Sequence, residues 1–190
     1  MRDSRITVLV ALAIVLFSRQ YWPDSTLPHE LFELAGYALI AACVLGRLYT
    51  TAFLGGFKNR QLIDCGPFSV MRNPLYFFSL LGVTGAALMS NHPLVMIGLP
   101  AAFLAILMRQ IRREERFLAT RFGDDYRRYV ETVPRLWPRL AGYRAPDSIA
   151  VSTRVLASAV ADAVWWFVPL PLIELIEYAQ QQGYLPIVFG

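Results

Sequence analysis

Apolar and polar positions along this chain are sorted into blocks rather than interleaved, and the blocks predict membrane-crossing helices. Ile6–Phe17 is apolar and flanked by Arg2, Arg5 and Arg19. Extended through Ser18–Trp22 it reaches the ~17 residues that a tilted helix can use. Tyr21 and Trp22 then fall at an interface, where aromatic belts sit. Leu31–Leu54 is a second span, with Glu33 and Arg47 near its two ends. Leu75–Met89 and Leu94–Met108 are a third and fourth, joined by the tight turn Ser90-Asn91-His92-Pro93 into an antiparallel helical hairpin. Val155–Val168 is the last long apolar run, and Pro169 and Pro171 break or kink it. Leu172–Ala179 either continues that span or forms a separate interfacial helix; the pattern leaves both open.

Composition agrees with the blocks. Of 190 residues 56% are apolar and only 17% charged, and mean hydropathy is +0.43. The expected fold is an all-α polytopic membrane protein with about five transmembrane helices. It forms a single integral membrane domain over 1–190, with a motif core at 57–140 and a C-terminal helix at 149–190. The net charge of +4 does not point to nucleic acid, because the arginines flank apolar runs as membrane topology requires. With the N-terminus inside, every Lys and Arg except Arg19 falls on the inner side or at its edge. The expected location is a prokaryotic plasma membrane, multi-pass, with the N-terminus and the polar loops cytoplasmic. Cys43 and Cys65 have no CxxC or His-rich spacing, so neither a disulfide framework nor a metal site is expected. His29 and His92 lie on the outer side as interfacial residues, and no cleavable signal peptide stands out.

Two polar stretches face the same compartment and bracket the hairpin. In the first, Gly66-Pro67 forces a turn, and Pro74 holds Asn73 out of the helical region before starting a new helix. Arg72 and Asn73 are thus presented at a helix N-terminus, which favours an anionic or polar ligand. The second, Arg109–Arg128, leaves the membrane and runs along its surface, with Glu114 and Glu115 adjacent among arginines. A short hairpin returns its ends to one membrane face, so Arg72/Asn73 and Arg109–Glu115 are expected to be neighbours. Either stretch alone is also explained as loop punctuation or a solvated charge face. Val133–Pro138 reads as a rigid extended segment and Gly142–Asp147 as a linker.

Together they form an ordered pair of motifs. The first holds Gly66, Pro67, Phe68, Arg72, Asn73, Pro74 and Tyr76. The second holds Glu114, Glu115, Leu118, Phe122, Gly123, Tyr126, Tyr129, Val133, Pro134, Arg135 and Pro138. This pair resembles the integral membrane methyltransferases of the isoprenylcysteine carboxyl methyltransferase and phospholipid N-methyltransferase type. The resemblance implies S-adenosyl-L-methionine as methyl donor, in a cytoplasmic pocket formed by the loop before the third helix and the segment after the fourth. It implies cofactor contacts from Gln61, Leu62 and Ile63, from Phe68, from Asn73, Pro74, Leu75 and Tyr76 at the methionine end, and from Glu114 and Glu115 on ribose hydroxyls or the amino group. Arg72, Arg109 and Arg135 are the implied catalytic set, orienting an anionic group of the acceptor. Many carboxyl methyltransferases of this type read R-H-P where this chain reads Arg72-Asn73-Pro74, and Asn cannot titrate near neutrality.

The implied reaction is methyl transfer to a lipid-like amphiphile that enters sideways from the bilayer, either a carboxylate or an amine. A carboxylate needs no base and suits an arginine fork; an amine must be deprotonated, which gives Glu115 or a water a larger part. Two other readings are an NADPH-dependent membrane reductase of the sterol reductase type and a non-catalytic scaffold. The first usually needs a longer chain, and the second leaves the paired motif unexplained.

Overall fold

The computed structural model describes residues 22, 26–54, 62–149 and 151–184. The first expected span and Gln61 lie outside the described residues. Everything regular among the described residues is helical: α1 (Leu27–Leu54), α2 (Pro67–Val70), α3 (Pro74–Met89), α4 (Pro93–Thr132), α5 (Thr153–Val164) and α6 (Pro169–Gln181), with short 3-10 turns at Leu140–Gly142 and Trp165–Phe167. The all-helical expectation therefore holds. Leu27–Leu54, Pro93–Thr132 and Thr153–Gln180 are long and apolar enough to cross a membrane, and Pro74–Met89 is a shorter apolar helix. The broken C-terminal run keeps helical character through its prolines because Pro169 stands at the start of α6, where a missing N–H costs nothing.

The described chain falls into two compact units. One contains the described residues up to Cys43, Leu80–Ile106, and the described residues from Trp165 on. Its core is Ile40, Met89 and Ile173, with Tyr37, Ala86, Trp166 and Leu170 packed around them. Glycines let its helices approach: a Cβ on Gly36 would stand 2.8 Å from the Gly85 carbonyl oxygen, and one on Gly85 2.7 Å from that of Gly36. Asn91 takes a positive φ of 50° in the hairpin turn, and its amide donates to the Trp22 carbonyl.

The other unit contains Val44–Ser79 and Leu107–Val164. Its core is Tyr126, Tyr129 and Val133, supported by Leu62, Leu118 and Phe122. Within α4, Gly123 leaves the helical region (φ 53°, ψ −121°) and kinks the helix. Only glycine takes that conformation cheaply. Asp124 and Asp125 follow, placing negative charge at the start of the second stretch of helix, where its dipole favours acids.

Candidate functional site

The second unit is stitched together by backbone hydrogen bonds between residues 66–73 and 129–144. The Arg72 N–H donates to the Pro134 carbonyl (2.8 Å), and the Arg139 N–H to that of Val70 (3.0 Å). The Asn73 amide donates to the Arg135 carbonyl at 2.9 Å, and the Tyr129 hydroxyl to that of Phe68 at 2.6 Å. The Gly66 N–H reaches the Arg144 carbonyl at 2.7 Å, and the Arg144 N–H reaches Ser69 Oγ at 2.9 Å. Residues 142–147 are therefore no slack linker: Gly142 lies close to the Ser69 carbonyl, where a Cβ would stand 3.3 Å from the oxygen. Val133–Pro138 bends rather than extends, with Val133 and Leu136 buried and Trp137 exposed. Gly66 is required twice over, by its φ of 58° and because a Cβ there would collide with the Phe53 ring.

This stitching carries Arg72 and Arg135 to one carboxylate. Arg135 forks onto Glu115, its Nε 3.2 and 3.0 Å from the two carboxylate oxygens and its Nη2 2.9 Å from Oε2. Arg72 Nη2 stands 3.4 Å from Oε1. The side chains of Arg72 and Glu115 are only 10% and 12% exposed, against 42% for Arg135. The neighbourhood expected from the hairpin is thus realised at Arg72 and Glu115. Glu114 is occupied separately, accepting the Tyr76 hydroxyl at 2.8 Å.

The other described residues singled out from the sequence lie elsewhere in the same unit. Asn73 and Pro74 are buried, the Asn73 carbonyl accepting the first hydrogen bond of α3 from Phe77 at 3.1 Å. Leu75 and Ile63 are half-buried, as is Phe68. Leu62 packs against the tyrosine core. Arg109 is exposed on α4, six positions before Glu115 in sequence.

A cavity of about 700 Å³ adjoins the clamp. Arg72, Glu115 and Arg135 line it with Arg112, Arg116 and Arg127; Ala119 and Val130 add apolar wall, and Gly123 and Tyr126 complete it. Two buried donors in this lining, Arg72 Nε and the Tyr126 hydroxyl, have no hydrogen-bond partner among the described residues. Tyr126 is 4% exposed. Burial, with Glu115 nearby, pushes its phenol up to about 12, while Arg72 and Arg135 pull the other way. Sequence reasoning had Tyr126 only as a motif position; an isolated tyrosine shows no sign that its hydroxyl will lack a partner.

With this geometry in view, a phospholipid methyltransferase family model matches residues 33–125. The cobalt-zinc-cadmium resistance protein CzcN of Cupriavidus metallidurans is 32% identical over 184 residues, which cover 97% of this chain and 84% of that one. The chain belongs to the phospholipid methyltransferase family. The nickel-cobalt-cadmium resistance protein NccN of Alcaligenes xylosoxydans xylosoxydans is 26% identical over 182 residues, 96% of this chain and 84% of its own. An uncharacterized protein of Haemophilus influenzae is 38% identical over 61 residues, 32% of this chain and 97% of its own. No solved structure matches. Of the clamp and cavity residues of this phospholipid methyltransferase family member, Tyr126, Arg127, Val130 and Arg135 lie beyond the stretch matched by the family model.

Proposed function

We propose that this protein transfers a methyl group from S-adenosyl-L-methionine to a lipid-like amphiphile drawn from the bilayer, at a site on the cytoplasmic face of a plasma membrane. The observation that carries the reading is the buried clamp of Glu115 by Arg72 and Arg135, beside a cavity that keeps two polar donors unsatisfied. An unpaired buried donor costs about 1–3 kcal/mol. A cavity that holds two of them is built for a polar guest.

Of the residues the resemblance assigns to the cofactor, Glu115 lines the cavity and the other described ones belong to the same compact unit. The cofactor's volume class suits the cavity, since drug-sized ligands occupy ~300–1,000 Å³. Glu114 and Glu115 are acceptors for ribose hydroxyls or an ammonium group, and Asn73, Pro74, Leu75 and Tyr76 would hold the methionine end. The resemblance adds Leu62, Ile63 and Phe68, which do not line this cavity, and Gln61, which lies outside the described residues. When bound, the cofactor supplies an electrophilic methyl on a sulfonium. The protein's own part is to orient and to keep water out. Arg72 and Arg135 orient the acceptor's polar group; Arg109, the third arginine of the implied set, is exposed on α4 outside the cavity lining. Orientation of this kind lowers a barrier by several kcal/mol, up to about 7–11 in favourable cases. Where the acceptor is an amine, Glu115 is the group placed to receive its proton.

Isothermal titration of the detergent-purified protein tests this. S-adenosylhomocysteine is expected to bind in the micromolar range and NADPH not at all; the reverse would favour a reductase, and binding of neither a scaffold. Reporter fusions in the 90–93 and 142–149 loops test the orientation, the second loop being expected inside.

The printed names of CzcN and NccN favour a second statement, about physiological setting: this chain acts within tolerance of cobalt, zinc, nickel or cadmium. Among the described residues no group of three or more His, Cys, Asp or Glu side chains gathers as a metal site would require. The reading is therefore of an enzyme that serves such tolerance. A deletion strain complemented with Glu115→Gln tests it: growth in cobalt, zinc or cadmium restored as fully as by the wild type would separate tolerance from methyl transfer.

A further inference from the structure

The charge of the cavity is lopsided. Five of its lining residues are arginines (72, 112, 116, 127 and 135), and its one carboxylate, Glu115, is already claimed by two of them. Arg112 and Arg116 are exposed toward it along α4, as is Arg127, which also pairs with Asp124 at 3.2 Å. Of the two unsatisfied groups, the Arg72 Nε–H can only donate, and the Tyr126 hydroxyl can donate beside it. The clamp also has an asymmetry. Arg72 is buried under it and further held through its backbone by Pro134, whereas Arg135 is nearly half exposed. Arg135 is the arm able to yield.

We infer that this cavity is an oxyanion site, in which an incoming carboxylate or phosphate displaces the Arg135 arm from Glu115 and takes Arg72 Nε–H and the Tyr126 hydroxyl as its innermost donors. An ammonium has no lone pair to offer the Arg72 Nε–H, and a hydroxyl, which can accept from both groups, brings no charge to the guanidinium groups around them. An anionic oxygen satisfies both through its lone pairs and is attracted by the surplus of guanidinium groups. Tyr126 stays protonated across the physiological range, so it is present as a donor whenever the anion arrives. Arg112 and Arg116 precede the break in α4 at Gly123, Tyr126 and Arg127 follow it, and all four line one cavity. Nothing in the family match singles out Tyr126 or Arg127, which lie past its end.

This inference rests on the methyltransferase reading for what the anion belongs to, and two sources share its chemistry: the carboxylate of the cofactor's methionine end and the anionic group of an acceptor lipid. Matched probe pairs distinguish them. Binding to the detergent-purified full chain is measured for S-adenosylmethionine against its decarboxylated analogue, and for lysophosphatidic acid against monoacylglycerol. Each is measured on the wild type, Tyr126→Phe and Arg116→Gln. In at least one pair the wild type should prefer the anionic member by tenfold or more, and Tyr126→Phe should cut that preference about tenfold, the range of one hydrogen bond to a charged group. The pair that responds names the source. Arg116→Gln, an exposed change that leaves the packing alone, should reduce the same preference severalfold and weaken its dependence on salt. If both variants keep the wild-type preference in both pairs, or if no pair shows a preference, the oxyanion site is refuted. The outcome is separable from that of the preceding proposal: failure of S-adenosylmethionine and its analogue to bind at all overturns the methyltransferase reading, while the lipid pair still decides the anion site.

Discussion

Replacing Glu115 with glutamine should destabilise the protein far more than neutralising its exposed partner, Arg135, would. The size follows from burial. Glu115 and Arg72 are almost closed off from solvent, so removing the carboxylate leaves a guanidinium buried without its counter-charge. Breaking a buried pair from one side costs about 3–5 kcal/mol. Arg135 adds little, because a pair open to water is worth about 0–1 kcal/mol. Glutamine keeps one acceptor oxygen, which puts the expected loss near 3 kcal/mol. At about 2–4 °C per kcal/mol for a chain of this size, the melting temperature should fall by roughly 6–12 °C. Arg135→Gln should lower it by roughly 2–4 °C or less on the same scale. Intrinsic tryptophan fluorescence during heating of the detergent-solubilised protein measures both. The double change Arg72→Met with Glu115→Leu, which removes the pair rather than half of it, should regain most of the loss. Should Glu115→Gln melt within a degree or two of Arg135→Gln, the clamp is not the buried, mutually dependent pair described above.

Ser69→Ala should cost about 1–3 kcal/mol, since it strips the Arg144 N–H of its acceptor and the Gly66 carbonyl of a donor in a buried place; the same melting experiment reads it. Gly123→Ala forces a side chain into a conformation only glycine accepts readily and should cost about 1–3 kcal/mol, with no steric clash to blame because a Cβ there meets open space. A wild-type melting temperature for that variant would mean α4 runs straight. Tyr126 has its folded-state pKa raised above the ordinary 10, so its contribution to stability is intact below pH 10 and is lost as pH rises toward 12. Tyr126→Phe should flatten part of that alkaline decline and remove one late-titrating tyrosinate from the ultraviolet difference spectrum; an unchanged titration would refute the raised value. Tyr129, also buried and also shifted upward, accounts for part of the decline that remains.

Much of this was legible in the chain itself, for identifiable reasons. Blocks of apolar residues point to helices, so the spans read at 31–54, 75–89 and 94–108 fall inside the helices found at 27–54, 74–89 and 93–132, while the charged continuation past Met108 in the same helix reads as a separate segment. The meeting of Arg72 with Glu115 follows from a turn too short to let the hairpin's ends diverge. The hold on residues 66–73 by 129–144 was not legible, because it runs mainly through backbone N–H and carbonyl groups, which every residue type carries alike. That is why 142–147 reads as a linker when it is tied at Gly66 and Ser69. The kink left a fainter trace. Glycine followed by Asp124 and Asp125 is the signature of a helix that stops and restarts, though surrounding helix-forming residues mask it. The partnerless Tyr126 hydroxyl left none, since satisfaction of a hydroxyl depends on what packs around it.

The position of Glu115 along α4 limits what can react there. Met108 ends the apolar stretch, and seven residues of helix at about 1.5 Å each carry Glu115 roughly 10 Å beyond it. The polar layer on one side of a bilayer is about 5–8 Å deep. On the proposed membrane placement, the clamp therefore sits at the outer edge of the headgroups and not among the tails. An acceptor whose reacting group lies directly against its acyl or prenyl chain would have to rise from the membrane to reach it, at about 0.8 kcal/mol for every methylene exposed. One that carries its reacting group at the end of a polar headgroup reaches the site with its tails still immersed. Acceptors of equal chain length but increasing headgroup reach should thus show rising kcat/KM up to about 10 Å and no gain beyond. A nitroxide at the exposed Thr120, still farther along the helix, should collide with a water-soluble nickel chelate and not with membrane-dissolved oxygen. The opposite collision pattern would put the clamp inside the bilayer and reverse the order of preferred acceptors.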